Sequence, residues 1–197
     1  GIDRTTIGYL SWVGLAYAFK WVWAPLVDRL PLPGLTRRLG RRRSWLLLSQ
    51  LLIAAGLLGM ASQNPQLALT PMVWSALVVA FGSATQDIAL DAYRIESASM
   101  QEQAALAATY QTGYRLAMIW AGAGVLWVAT LAQGEQLGYA VRAWQVAYSV
   151  MAACMVVGIV TVLLSPEPQP RPLPPSRSVQ EWLHSALVAP FADFIAR

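Results

Sequence analysis

Charge is what this chain has least of. Of its 197 residues, 12% are Asp, Glu, Lys or Arg, while 56% are hydrophobic. A soluble domain carries about a quarter charged residues, so this composition argues against an ordinary soluble fold. Cysteine is nearly absent. Cys154 stands alone in an apolar run, which excludes a disulfide framework and a cysteine metal site. The only histidine is His184, near the C-terminal end. There is no Gly-rich phosphate loop, no cluster of metal ligands and no nucleophile paired with a base. An enzyme is therefore not expected, and neither a cofactor nor a metal is called for. The net charge of +4 comes from arginines beside apolar spans, without interleaved aromatics, so nucleic acid is not an expected partner.

What the chain has is long apolar runs. Five are long enough to cross a bilayer, which needs roughly 20 residues: Thr5–Val27, Ser44–Ser62, Thr70–Tyr93, Ala104–Leu131 and Ala143–Leu164. Backbone groups in lipid must be satisfied within the segment, and these lengths suit helices rather than barrel strands. The expected fold is an all-α integral membrane protein with five transmembrane helices. Nine tryptophans fit interfacial belts as well as packed cores.

The connections sort by charge. Arg29, Arg37, Arg38, Arg41, Arg42 and Arg43 fill the first loop, Arg94 opens the third, and Arg171, Arg177 and Arg197 lie in the tail. Only Arg4 and Arg142 fall on the opposite side. The positive-inside rule puts the arginine-rich side in the cytoplasm. Gly1 is then outside, with neither an initiator Met nor a basic n-region before it. The expectation is a fragment with at least one helix upstream. Domain organisation follows: helices over 1–165, then a linker over 166–177 in which PEPQPRPLPP holds six of the twelve prolines. Residues 178–197 open with the capping-box pattern SVQE and carry Trp182, Leu183, Ala186, Leu187 and Phe191 at near-helical spacing. They are expected to form an amphipathic helix on the cytoplasmic membrane surface, leading to a further half.

The few charges inside the apolar runs are the chemically informative residues. ATQDIALDAYR places Gln86, Asp87, Asp91 and Arg94 at the cytoplasmic end of the third span. Asp87, Asp91 and Arg94 share one helical face. An intramembrane charge costs at least ~2.5–3.5 kcal/mol and normally faces a bundle interior or wet cavity. Asp87 and Asp91 are the candidate proton-coupling residues; the plainer alternatives are a structural hydrogen bond for Asp87 and an Asp91–Arg94 pair at the helix end. In TYQTGYR, Arg115 lies about 16 Å of rise into the fourth span. It keeps its charge and needs an anion, either a carboxylate such as Asp87 or an anionic substrate. Tyr110 and Tyr114 are one turn apart, as are Gln111 and Arg115, giving rings and donors able to grip a sugar. Ordinary tyrosine packing is the alternative. Lys20, the only lysine, either snorkels to the interface or meets Asp87 or a substrate acid. Pro25 is expected to kink or end the first helix.

Taken together, these residues resemble a known family. APLVDR…LGRRRSW, from Ala24 to Trp45, is similar to the signature between the second and third helices of major facilitator transporters, with Asp28, Arg29, Gly40, Arg41 and Arg42 matching. Ala24 replaces the usual Gly, and PLPGLTRRL lengthens the loop. Combined with FKWVWAPLVDR, GRRRSWLLLSQ, ATQDIALDAYR and GYRLAM, the pattern resembles the AmpG-type muropeptide permeases over nearly the whole chain, as helices two to six and the central linker. The resemblance implies a partial N-terminal helix bundle of the major facilitator fold, lacking the C-terminal half. It implies proton symport of anhydromuropeptides (GlcNAc-anhydroMurNAc peptides) from periplasm to cytoplasm across the bacterial inner membrane. That import serves peptidoglycan recycling and β-lactamase induction. Lys20, Gln86, Tyr110, Gln111, Tyr114 and Arg115 would then bind substrate, Asp87 and Asp91 would carry the proton, and Asp28, Arg29, Arg41, Arg42 and Arg94 would form a cytoplasmic gate. A related carrier of another cargo such as acetyl-CoA, and a non-transporting helical membrane subunit, remain open.

Overall fold

The computed structural model describes residues 14–67 and 69–169, together with Glu181 and His184. Its elements, in chain order, are α1 (Leu15–Ala18), α2 (Lys20–Arg29), α3 (Leu35–Leu39), α4 (Arg41–Ala61), α5 (Leu69–Ser97), α6 (Gln103–Ile119), a π-helical turn (Trp120–Gly124), α7 (Val125–Gln133) and α8 (Val141–Leu164). No strand occurs among the described residues. Four helical stretches are long and apolar enough to cross a bilayer: Arg41–Ala61, Leu69–Ser97, Gln103–Gln133 and Val141–Leu164. At ~1.5 Å of rise per residue, even the shortest of these matches a hydrocarbon core of about 30 Å.

The first expected span begins outside the described residues. Its described part is broken at Phe19, between α1 and α2, and α2 runs on through Pro25. Proline has no N–H for the carbonyl four residues back, so its distortion falls on its N-terminal side. The arginine-rich loop contains the short α3, and α4 starts at Gly40, several residues before its apolar run. The fourth span is helical from end to end, but WAGAG widens it into a π-turn. The expected linker is described only as far as Gln169, and the expected amphipathic stretch lies outside the described residues apart from Glu181 and His184.

α4 is the centre of the bundle, packing along α5 on one side and α8 on the other. The α4–α5 crossing is close because Gly56 has no side chain. A Cβ there would sit 2.6 Å from Val79 Cγ2 and 2.9 Å from the Ser75 carbonyl oxygen. Farther along, α8 leans on α7 through Ala129, Ala140, Ala143 and Ala147. Small residues permit this approach in lipid, where contact area and not water exclusion drives helix association. At the arginine-rich end, α2, α4, α5 and α8 meet in one cluster of Val27, Leu46, Ala89 and Val162, flanked by Trp23, Trp45 and Tyr93. α6 stands apart, with Leu116, Met118 and Ile119 exposed.

Candidate functional site

Two polar clusters interrupt this apolar bundle. The first is a line of contacts stitching α1 and α2 to α5. The Tyr17 hydroxyl donates to Ser83 Oγ. Lys20 Nζ lies 3.6 Å from Asp87 Oδ2. The Trp23 indole N–H donates to Thr85 Oγ1 at 3.2 Å, and its ring packs on Phe81 with centroids 5.0 Å apart. Thr85 in turn donates to the Phe81 carbonyl at 2.8 Å. The Lys20 and Asp87 side chains are 39% and 36% exposed, so the pair opens onto space instead of being sealed in the core. Gln86 Oε1, next to it in sequence, is buried without a hydrogen-bond partner.

α6 reaches the same region from the other side. Arg94 pairs with Asp91 at 3.5 Å, and its guanidinium sits over the Tyr110 ring, 5.1 Å from the centroid. Tyr17 reaches Ser83, one turn before Asp87, and Tyr110 is tied through Arg94 to Asp91, one turn after it. Gln111 and Arg115 lie exposed on α6, and Arg115 makes no ion pair among the described residues. Lys20, not Arg115, is the partner of Asp87. Tyr17 and Ser83 were not singled out from sequence. A tyrosine three residues before the lone lysine, with a serine four before Asp87, was the available signal.

The second cluster sits where the four helices meet. Arg42 is 6% exposed. Its Nε and Nη2 donate to the two oxygens of Glu96 at 2.9 and 2.6 Å, a bidentate fork, and its Nη1 donates to Asp28 Oδ1 at 2.7 Å. Arg41 Nη2 adds a longer contact to Glu96 at 3.9 Å. One guanidinium therefore clamps α2, α4 and α5. Of the gate residues read from sequence, Asp28, Arg41 and Arg42 come together here. Arg29 is half-buried at the end of α2. Arg94 lies apart, with Asp91 and Tyr110. The clamp's main acceptor, Glu96, lies past the end of the apolar run 70–93, where hydropathy gives no signal for it.

A part-exposed ion pair between helices and a buried ionic clamp, set among four helices long and apolar enough to cross a bilayer, define the class as a polytopic helical membrane protein. The model of the Major Facilitator Superfamily matches residues 1–195. The chain belongs to that superfamily. It is 40% identical over 196 residues to the anhydromuropeptide permease of Escherichia coli K12, a match covering all of this chain and 36% of that protein. A Rickettsia conorii relative carrying an AmpG transporter name is 34% identical over 198 residues, covering all of this chain and 45% of its own length. A Haemophilus influenzae protein without an assigned function is 38% identical over 164 residues, 83% of this chain and 35% of that protein. The chain thus spans less than half the length of these relatives.

Proposed function

We propose that this chain is part of a carrier, not an enzyme, that imports anhydromuropeptides across the bacterial inner membrane by proton symport. The observation that carries this reading is the part-exposed Lys20–Asp87 pair at 3.6 Å, with Tyr17 bonded to Ser83 one turn before Asp87 and Asp91–Arg94 stacked on Tyr110 one turn after it. Identity with a muropeptide permease along the whole chain supports the cargo. Within a membrane span an unpaired charge is costly, so each of the two favours a partner. A proton arriving on Asp87 neutralises it and leaves the Lys20 ammonium in need of an anion. A carboxylate of the cargo's peptide satisfies that need. One proton and one carboxylate thus enter together without changing the net charge of the site. Tyrosine faces suit sugar rings, and Gln111 and Arg115 supply donors for amide and acid groups.

The test uses the full-length protein in membrane vesicles. Uptake of labelled N-acetylglucosaminyl-anhydromuramyl peptide is followed with and without a proton gradient, and again in Asp87→Asn. The expected result is gradient-driven accumulation that the substitution abolishes while expression persists. Accumulation that survives Asp87→Asn would retain the cargo and remove the proton role. No accumulation by a folded, inserted protein would remove the muropeptide reading and bring forward a carrier of another cargo, such as acetyl-CoA.

A further inference from the structure

The first turn of α4 has a cap that does not come from its own neighbourhood. Its N-cap residue is Gly40, at φ 86° and ψ 171°, with no side chain to offer. The acceptors come instead from Glu167, just beyond the end of α8. Glu167 Oε1 accepts from the Arg42 backbone N–H at 2.8 Å and Oε2 from that of Arg43 at 3.1 Å. The glycine makes room for this carboxylate: a Cβ on Gly40 would lie 2.3 Å from Glu167 Cδ and 2.4 Å from its Cγ. The arrangement is reciprocal. Arg43 Nε and Nη2 donate to the Val162 and Leu163 carbonyls, at 2.8 and 2.6 Å, in the last turn of α8. Thus α8 and the segment after it cap α4, while α4 caps α8. Tyr93 adds a third tie, its hydroxyl donating to the Pro166 carbonyl at 2.7 Å.

The position of this clasp matters more than its strength. The backbone N–H that Glu167 holds belongs to Arg42, whose guanidinium clamps Asp28 and Glu96. We infer that Glu167 is a positioning residue for the gate: it fixes the Arg42 backbone so that the α2–α4–α5 clamp forms, and so ties the state of the clamp to the segment that follows α8. Resting on the carrier reading, this makes the linker's first residues a working part of the gate and not a passive tether. Displacing Glu167 frees the first turn of α4, and Arg42 loses its register with its two carboxylates.

The test takes the full-length protein with Cys154→Ala and a reporter, Ser44→Cys, placed at a wholly buried position in the first turns of α4. Glu167→Gln, Glu167→Asp and Tyr93→Phe are compared by labelling with a membrane-impermeant maleimide from the cytoplasmic side, and by uptake kinetics. Glu167→Gln is expected to speed labelling roughly five-fold, the factor corresponding to one lost helix cap, and to change Vmax while leaving KM within about two-fold. Tyr93→Phe moves labelling the same way by less, and Glu167→Asp recovers part of the protection. Unchanged labelling in Glu167→Gln would overturn the proposal. A change in KM at constant Vmax would also overturn it, since Glu167 would then be reading cargo. Labelling needs no cargo, so a failed uptake assay on the parent would sink the carrier reading while the clasp is still judged on labelling alone.

Discussion

Replacing Arg42 with alanine removes three charge-assisted hydrogen bonds at once, and the structure says where the loss falls. The two acceptors differ in exposure. The Glu96 side chain is 10% exposed, whereas that of Asp28 is 46% exposed. Water can take over from Arg42 at Asp28, so that contact contributes on the order of 0–1 kcal/mol, as exposed pairs do. Water cannot easily reach Glu96. Leaving a carboxylate buried without its bidentate partner costs about 3–5 kcal/mol. Arg41, already 3.9 Å away, can move in and recover part of this. The expected ordering is therefore Arg42→Ala at about 3 kcal/mol, Asp28→Asn at or below about 1 kcal/mol, and Arg41→Ala/Arg42→Ala more costly than the sum of the single changes. Equilibrium unfolding in detergent, read by tryptophan fluorescence, measures all of these on one scale. An Asp28→Asn cost matching that of Arg42→Ala would refute the reasoning, because it would mean that exposure does not govern the clamp. Additive Arg41 and Arg42 effects would refute the proposed rescue.

Two further outcomes follow from local geometry. Gly56→Ala forces a methyl group against the Ser75 carbonyl oxygen, which belongs to the backbone and cannot swing aside. Separating α4 from α5 should cost about 1–3 kcal/mol in the same unfolding assay, and a neutral result would mean that the two helices are not packed this closely. At the start of α6, Ser99 donates through both its N–H, at 3.1 Å, and its hydroxyl, at 2.7 Å, to Glu102 Oε2. These bonds hold the Glu102 carboxyl below the usual glutamate range, led by the hydroxyl contact. Because the folded value is the lower one, the stabilisation is present above the unfolded pKa and lost as pH falls through the folded one. Amide protection factors in the first turn of α6 should fall over that acid range, and Ser99→Ala, which loses the hydroxyl and keeps the N–H donor, should weaken the pH dependence; an unaltered profile would dissociate Glu102 from the serine hydroxyl.

The helices were legible because an apolar run of bilayer length has few other uses, and each of the four candidate spans overlaps a run read from sequence. Their ends were less so, for a definite reason. Hydropathy stops where arginines begin, whereas helix formation does not. α4 therefore extends back over Arg41, Arg42 and Arg43 to Gly40, whose positive φ breaks the chain direction. The same effect carries α5 past Tyr93 to Ser97, bringing Glu96 onto a helix facing Arg42. The π-turn in WAGAG left no mark on hydropathy at all, since its residues are as apolar as the helix around them.

Within the polar clusters, legibility followed sequence distance. The Asp91–Arg94 pair is local, so its spacing alone suggested it. Lys20–Asp87 was one of two readings, because the only lysine and an intramembrane carboxylate have few other partners of opposite charge. Arg42–Glu96 and the Glu167 clasp join residues that are 54 and 125 positions apart. A glutamate between two prolines looks like solvent-facing linker until α8 returns it to the start of α4. The glycine in the GRR signature gains a physical meaning from that contact. Gly40 turns the chain and vacates the volume that a carboxylate from the far end of the bundle occupies. A side chain at position 40 should therefore act like loss of Glu167: both would uncap α4, and both would let Arg42 slip from Asp28 and Glu96.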